Sequence, residues 1–254
     1  MSGLIYRLYE WRLTRQIRRE PLPGHIGLIL DGHRRFARAT GRSIAEGYAL
    51  GADKTEDVLR WCRALGIRTV TLWLLSTENL ERDVEEVKAI LGVIEERISR
   101  WVRGDFAAQL GMQIRAIGKL DLLPASALQV LQQAAHATHA HNHLRLNVAV
   151  GYGGRLEIVD AVRAYLRDKA LSSAEAVIDG LTPDVVAKYL YTYDCPDPDL
   201  IIRTSGEVRL SGFMLWQSAY SEFYFCDAHW PAFRKVDFLR AVRAYQQRDR
   251  RFGG

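Results

Sequence analysis

Cysteine is scarce: Cys62, Cys195 and Cys226 are the only three, odd in number and far apart. They exclude a disulfide framework and a metal knuckle, and free thiols fit a reducing compartment. No apolar run approaches the ~20 residues that a membrane-spanning helix needs. The opening residues lack a secretory signal, because Tyr6-Arg-Leu-Tyr-Glu-Trp-Arg-Leu-Thr-Arg15 interleaves charge with apolar groups. The expected address is the cytoplasm. Two phosphate-binding signatures, GxxxxGK[ST] and GxGxxG, are also missing. No repeat, low-complexity segment or linker interrupts the chain, so residues 21–254 are read as one domain behind an N-terminal amphipathic helix over residues 1–20.

Charge leans positive, +5 at pH 7 with a pI near 9.2. Such a balance favours anionic partners, either phosphorylated small molecules or an acidic membrane surface. Nucleic acid is not expected, since no basic stripe carries interleaved aromatics. With 48% hydrophobic residues the chain has material for a sizeable core. The opening helix sets Leu4, Leu8, Trp11 and Ile17 against Arg7, Arg12, Arg15, Arg18 and Arg19. That face either docks on its own domain or lies on anionic lipid, giving a peripheral membrane contact. Pro21 and Pro23 end the helix.

The organising stretch is His25-Ile-Gly-Leu-Ile-Leu-Asp31-Gly-His-Arg-Arg-Phe36-Ala-Arg38. Residues 26–30 read as a strand covered on both faces. Gly32 lets the backbone turn, and a helix beginning near Arg34 would point its free N–H groups back at the strand end. Arg34, Arg35 and Arg38 add charge that suits an anion. Asp31 would repel the same phosphate unless a divalent cation such as Mg²⁺ lay between them. The alternative is an N-cap aspartate before an arginine-rich helix.

A second buried strand over residues 70–75 runs into Ser76-Thr77-Glu78-Asn79, at the end where ligands bind in open α/β sheets. Gly41 and Gly47 mark a loop able to close over a ligand, followed by a helix that Gly66 ends. Asp83 and Glu86 have capping-box spacing, before a helix whose stripe of Val84, Val87, Leu91, Ile94 and Ile98 is either core or the wall of an apolar cavity. Residues 112–117 and 144–150 read as alternating strands, with a helix from about 124 to 141 between them. The nearby His136, His139, His141 and His143 have no acid or cysteine among them to complete a metal site. After a short strand at residues 200–202, Arg203, Thr204, Ser205, Arg209 and Ser211 make a second anion cradle or a solvated loop. Glu222 stands alone in an uncharged run from 210 to 226 and needs an arginine or a metal as partner. Strands alternating with helices predict a parallel sheet covered on both faces. Two cradles, one magnesium-type acid and abundant apolar helix faces suggest a chemistry that joins two apolar diphosphates.

Three blocks carry a resemblance: Asp31-Gly-His-Arg-Arg-Phe-Ala, then Leu75-Ser-Thr-Glu-Asn79 with Arg82, then Ile202-Arg-Thr-Ser-Gly-Glu-Val-Arg209-Leu-Ser-Gly-Phe-Met-Leu-Trp-Gln217 with Tyr220-Ser-Glu222. With the Arg251-Phe-Gly253 ending, the chain from His25 onward resembles the cis-prenyltransferase family, the undecaprenyl diphosphate synthases. The resemblance implies an α/β fold with an open, mostly parallel six-stranded sheet flanked by helices, a hydrophobic tunnel and a homodimer. It implies condensation of isopentenyl diphosphate with an allylic diphosphate. Asp31 and Glu222 would hold Mg²⁺. Gly32, His33, Arg34, Arg35, Phe36 and Arg38 would take the allylic diphosphate. Arg203, Arg209, Leu210 and Ser211 would take isopentenyl diphosphate, completed by Arg251 and Gly253 from the partner subunit. Ser76, Thr77, Glu78, Asn79 and Arg82 would lie between, with Asn79 as a positioning or relay group in proton loss.

The chain departs from the family pattern at several of these positions. His33, Arg34 and Phe36 stand where asparagine, glycine and tryptophan are usual, Ile44 and Tyr48 where arginine and histidine are, and Leu80 where tryptophan is. Tyr48, the doubled arginine and Leu74-Leu75 are similar to actinobacterial short-chain members, which make (2Z,6E)-farnesyl diphosphate from geranyl diphosphate. Leu74, where long-chain makers commonly have alanine, would fill the start of the tunnel and stop growth. The competing expectations are a longer polyprenyl product, a branched product, and a noncatalytic partner subunit. The last tends to lose the acid and arginines kept here at Asp31, Arg203, Arg209 and Glu222.

Overall fold

Branched and aromatic runs assemble into one sheet in the computed structural model, which describes residues 2–17 and 20–247. The strands are β1 (His25–Ile29), β2 (Thr69–Ser76), β3 (Met112–Ile117), β4 (Leu144–Tyr152), β5 (Leu200–Arg203) and β6 (Glu222–Phe225). Their order is β3-β4-β2-β1-β5-β6, and every pairing is parallel. The helices are α1 (Ser2–Ile17), α2 (His33–Ala39), α3 (Ile44–Leu65), α4 (Val84–Arg103), α5 (Phe106–Leu110), α6 (Ala125–Thr138), α7 (Gly154–Asp168), α8 (Ala174–Asp179), α9 (Pro183–Ala187) and α10 (Lys235–Gln246). The six-stranded sheet that the resemblance implies is thus present and wholly parallel.

β1 is buried along its whole length, as a strand covered on both faces must be. Gly27 at its centre has no room for a side chain, since a Cβ would lie 2.8 Å from the Phe213 ring. β4 does not alternate as its sequence predicts. Arg145 alone in it is half-buried, because the strand lies inside the sheet between β3 and β2. Its buried Asn147 donates Nδ2 to Thr71 Oγ1 at 3.0 Å, while its Oδ1 has no hydrogen-bond partner among the described residues.

The chain reverses direction at β1. On one side it adds β2, then β3 at the edge and β4 between the two, and afterwards crosses β1 to add β5 and β6 on the other. A reversal of this kind opens a crevice at the carboxyl ends of the strands. The polar segments after β1, β2 and β5 therefore converge.

Local signals set the helices around that crevice. α3 opens on a complete capping box between Ser43 and Glu46 and stops at Gly66 with φ 84°. Gly47 lies inside α3 rather than in a loop. A Cβ there would meet Ala37 Cβ and His33 O, both at 3.0 Å, so the glycine lets α2 and α3 pack closely. Asp83 caps α4 by accepting from Glu85 and Glu86 N–H, but the expected return bond is replaced. Glu86 turns its carboxylate to Arg34, Arg82 and Tyr48 instead. α6 ends at Thr138, and His139 and His141 beyond it bond through Nδ1 to backbone carbonyls. Among the described residues no group of three or more His, Cys, Asp or Glu converges as a metal site.

α1 docks on α10, burying Leu13 and Ile17 completely, while Gln246 Nε2 donates to the carbonyls of Ile17, Glu20 and Pro21. The docked face runs Tyr9-Leu13-Ile17 at i, i+4 spacing. Leu8 and Trp11, grouped with the apolar stripe in the sequence, are exposed instead. No described helix is long and apolar enough to cross a membrane.

Candidate active site

Asp31 leaves the end of β1 and is fixed through its backbone: its N–H donates to Thr204 Oγ1 at 3.0 Å, and its carbonyl accepts from that hydroxyl at 2.8 Å and from Trp230 N–H at 3.0 Å. The next residue, Gly32, has φ 103°, and a Cβ there would come within 2.9 Å of both His229 and Ser205. Only glycine makes that turn. α2 then begins, carrying Arg34, Arg35 and Arg38 on its first two turns.

The two cradles meet on the Asp31 carboxylate. Arg203, at the end of β5 and almost sealed from solvent, donates Nη2 to Asp31 Oδ2 at 2.9 Å and Nη1 to Ser211 Oγ at 2.7 Å. Its enclosed Nε has no hydrogen-bond partner. Arg35 donates to Ser205 Oγ at 2.6 Å and approaches Asp31 Oδ1 at 3.4 Å. Burial alone would raise the Asp31 pKa, but the hydrogen bond and charge of Arg203, with the charge of Arg35, outweigh it and hold the carboxyl below its ordinary value. Asp31 is ionised at neutral pH. Ser205 (φ 75°) and Ser211 (φ 51°) both sit in the left-handed region. The second cradle is therefore held in a conformation costing of order 1–3 kcal/mol per residue.

Two further acids complete the electrostatics. Glu207 pairs with Arg35 at 3.2 Å and with Arg209, and Glu86 pairs with Arg34 at 3.5 Å and Arg82 at 3.0 Å. Arg34, Arg35, Arg82, Arg203 and Arg209 thus each rest on a carboxylate. Sequence reasoning missed both acids as site residues. Glu207 was legible as the acid between Arg203 and Arg209, whereas the capping-box spacing of Glu86 hid it.

These groups line a cleft of about 770 Å³. Asp31, Gly32, His33, Arg34, Arg35 and Arg38 line it from the β1–α2 turn, Arg203, Arg209 and Ser211 from the end of β5 and the loop after it, and Ser76, Glu78, Asn79 and Arg82 from the segment after β2. Ser76 Oγ accepts the Asn79 N–H at 3.1 Å and so sets the turn that carries Asn79. His33 stacks on Tyr48 at 4.9 Å. Burial pushes its imidazole down to about 4, so it is neutral at pH 7. At Leu74 and Tyr48 the cleft continues into a narrow apolar cavity of about 60 Å³ between α3 and α4.

Some expected members stand elsewhere. Phe36 carries the Arg42 guanidinium over its ring, Thr77 bonds through its N–H to Tyr152 O, and Leu210 packs in the cluster of Ile29 and Phe213. All three support the cleft from outside its wall. Glu222 stands furthest from the others. It opens β6 opposite Leu200, which pairs in turn with Ile26 at the start of β1. Asp31 lies five residues further along, roughly 16 Å at ~3.3 Å per residue. Because β6 runs parallel to β5, one chain does not bring Glu222 to Asp31. Arg251 and Gly253 lie outside the described residues.

The donor set suits magnesium only as a companion of phosphate. Asp31 offers one half-buried carboxylate facing the cleft, and Mg²⁺ commonly takes one or two carboxylates while water and phosphate oxygens fill its other positions.

The family model described as undecaprenyl diphosphate synthase matches residues 29–253. The chain belongs to this family. Its members are cis-prenyltransferases, and the comparisons agree with that class. The chain is 52% identical to a (2Z,6E)-farnesyl diphosphate synthase of Thermobifida fusca over 98% of its length and 97% of the relative's. It is 47% identical to a geranylgeranyl-diphosphate-specific tritrans,polycis-undecaprenyl-diphosphate synthase of Methanopyrus kandleri, covering 98% and 91%. Among solved structures it is similar to lavandulyl diphosphate synthase of Lavandula x intermedia, in complex with dimethylallyl diphosphate, at a TM-score of 0.85 and 32% identity, covering 92% of this chain and 99% of the other. These relatives share the transfer of prenyl groups and differ in product.

Proposed function

We propose that this cis-prenyltransferase adds isopentenyl diphosphate once to geranyl diphosphate, releasing (2Z,6E)-farnesyl diphosphate and diphosphate. The observation that carries the short product is the cavity beyond Leu74. Its 60 Å³ is less than half of the ~150 Å³ cavity that holds the six carbons of benzene. A long polyprenyl chain has no room there. Leu74 narrows the neck where cleft and cavity join. The 52% identical relative in Thermobifida fusca supports the same product.

In this reading the allylic diphosphate lies against Arg34, Arg35 and Arg38, and its tail lies in the cleft toward Leu74. Isopentenyl diphosphate lies against Arg203, Arg209 and Ser211. The allylic C1–O bond breaks with its electron pair leaving on diphosphate, the isopentenyl double bond attacks C1, and one C2 proton is lost. Arginines aimed at the departing group stabilise the charge that develops there, usually the largest catalytic effect. Mg²⁺, held through Asp31 and the diphosphates, would supply further neutralisation of the leaving group. Asn79 positions rather than deprotonates, because a neutral amide is a poor base; the departing diphosphate takes the proton. In a homodimer Arg251 and Gly253 would complete the partner's isopentenyl site, and Glu222 would reach a metal only in that assembly.

The lavandulyl diphosphate synthase likeness favours a branched coupling as the second reading. Turnover with labelled isopentenyl diphosphate, Mg²⁺ and, separately, dimethylallyl, geranyl and E,E-farnesyl diphosphates decides between them. The expected result is one C15 product with a single new Z bond from geranyl diphosphate, lost on chelating the metal. Products of C30 or more would overturn the short-chain reading, and a branched C10 product from dimethylallyl diphosphate would establish the second.

A further inference from the structure

The cavity beyond Leu74 can be followed by depth. On α4, Ile90, Ile94 and Ile98 face it at successive turns, and α3 contributes Ala52 and Thr55. From Ile90 to Trp101 the helix covers about 16 Å at ~1.5 Å per residue. Among the described residues Arg97 is the one Asp, Glu, Lys or Arg in this wall, and it stands with Ile98 and Trp101 on the part of α4 away from the cleft.

Arg97 is 6% exposed, although its helical neighbours on the same stripe are isoleucines. Two acids of α3 hold it: Nη1 meets Glu56 Oε1 at 2.8 Å and Nη2 meets Asp53 Oδ1 at 2.7 Å. Glu56 Oε1 also accepts from Arg100 Nη2 at 3.0 Å and Trp101 Nε1 at 2.9 Å. The enclosed Arg97 Nε has no hydrogen-bond partner, and the nearest acid to it, Glu96, is 3.9 Å away. A charged cluster thus closes an apolar cavity and cross-links the two helices that form its sides.

We propose that Arg97, pinned by Asp53 and Glu56, is the floor that ends chain growth. The proposal rests on the prenyl-chain reading of the cavity and assigns its depth to a residue other than Leu74. An aliphatic terminus offers nothing to a guanidinium, so a chain reaching Arg97 would have to displace this buried cation from Glu56 and Asp53 and leave it uncompensated. The cross-link also resists widening, since α3 and α4 cannot separate while Arg97 spans them. Leu74 acts differently. The cavity already passes it, so Leu74 sets the width of the neck and Arg97 the length behind it.

The test compares product lengths from geranyl diphosphate and excess labelled isopentenyl diphosphate in wild type, Arg97→Met, Glu56→Gln/Arg97→Met and Arg97→Lys. Both methionine variants should gain at least one isoprene unit, with the ratio of longer to wild-type product rising roughly tenfold or more, the scale on which apolar pockets discriminate. Arg97→Lys, which keeps a charge, should retain the wild-type length. The double variant removes the acid that Arg97→Met would leave poorly compensated, and so covers a failure of the single variant to fold. Leu74→Ala supplies a measurement free of that concern: with the floor intact it should gain no more than one unit. Folded methionine variants with the wild-type distribution would overturn the proposal, as would C30 or longer products from Leu74→Ala. Wild-type product length reports on the short-chain reading and the variant-to-wild-type ratio on the floor, so the two can fail separately.

Discussion

Asp31 is where the chemistry of single residues is most exposed to experiment. Its carboxylate is ionised because Arg203 and Arg35, one arginine from each cradle, hold it so. Asp31→Asn keeps the shape and the backbone bonds to Thr204 but removes the charge. Turnover at saturating substrates is expected to fall by roughly 10²–10³, the cost of losing a preorganised electrostatic group. Steady-state assay checks this, and activity within about threefold of wild type would remove Asp31 from the mechanism. Arg203 shows why such residues carry function rather than fold. A sealed guanidinium with an unpartnered Nε is a poor way to stabilise a sheet end, and a good way to await an anion.

At the scale of elements, what could be read from the chain followed the period of its apolar residues. β1, β2 and β5 were legible as short branched runs ending in polar clusters, and α3 as a stripe closed by Gly66. β4 was misread because Arg145 and Asn147 imitate an exposed face, and only the sheet order buries both sides. Gly47 looked like a loop because its reason, the close approach of α2, is tertiary. Glu86 looked like a cap for the same reason. The cradles were legible because arginine, serine and glycine are concentrated there. The Arg97 cluster was not, because Asp53, Glu56 and Arg97 are brought together only by the packing of α3 on α4. α1 supplies a prediction at this scale. It docks through Leu13 and Ile17 and leaves Leu8 and Trp11 exposed on a helix rich in arginine. We expect co-sedimentation with vesicles containing anionic lipid, and Leu8→Ser/Trp11→Ser should weaken it about tenfold or more by removing apolar insertion. Equal binding by the variant, or no binding by wild type, would assign α1 to docking on α10 alone.

For the whole molecule the central claim is topological. One change of side at β1 brings two arginine clusters together around Asp31, an arrangement suited to two diphosphates at once. The most direct measurement is the Michaelis constant for each substrate in Arg38→Met and Arg209→Met, two exposed arginines of the cleft, one on α2 and one after β5. Arg38→Met should raise the constant for the allylic diphosphate roughly tenfold or more and leave that for isopentenyl diphosphate within about threefold, and Arg209→Met should do the reverse. Equal effects of both variants on both substrates, or the opposite assignment, would contradict the division of the cleft on which the account stands.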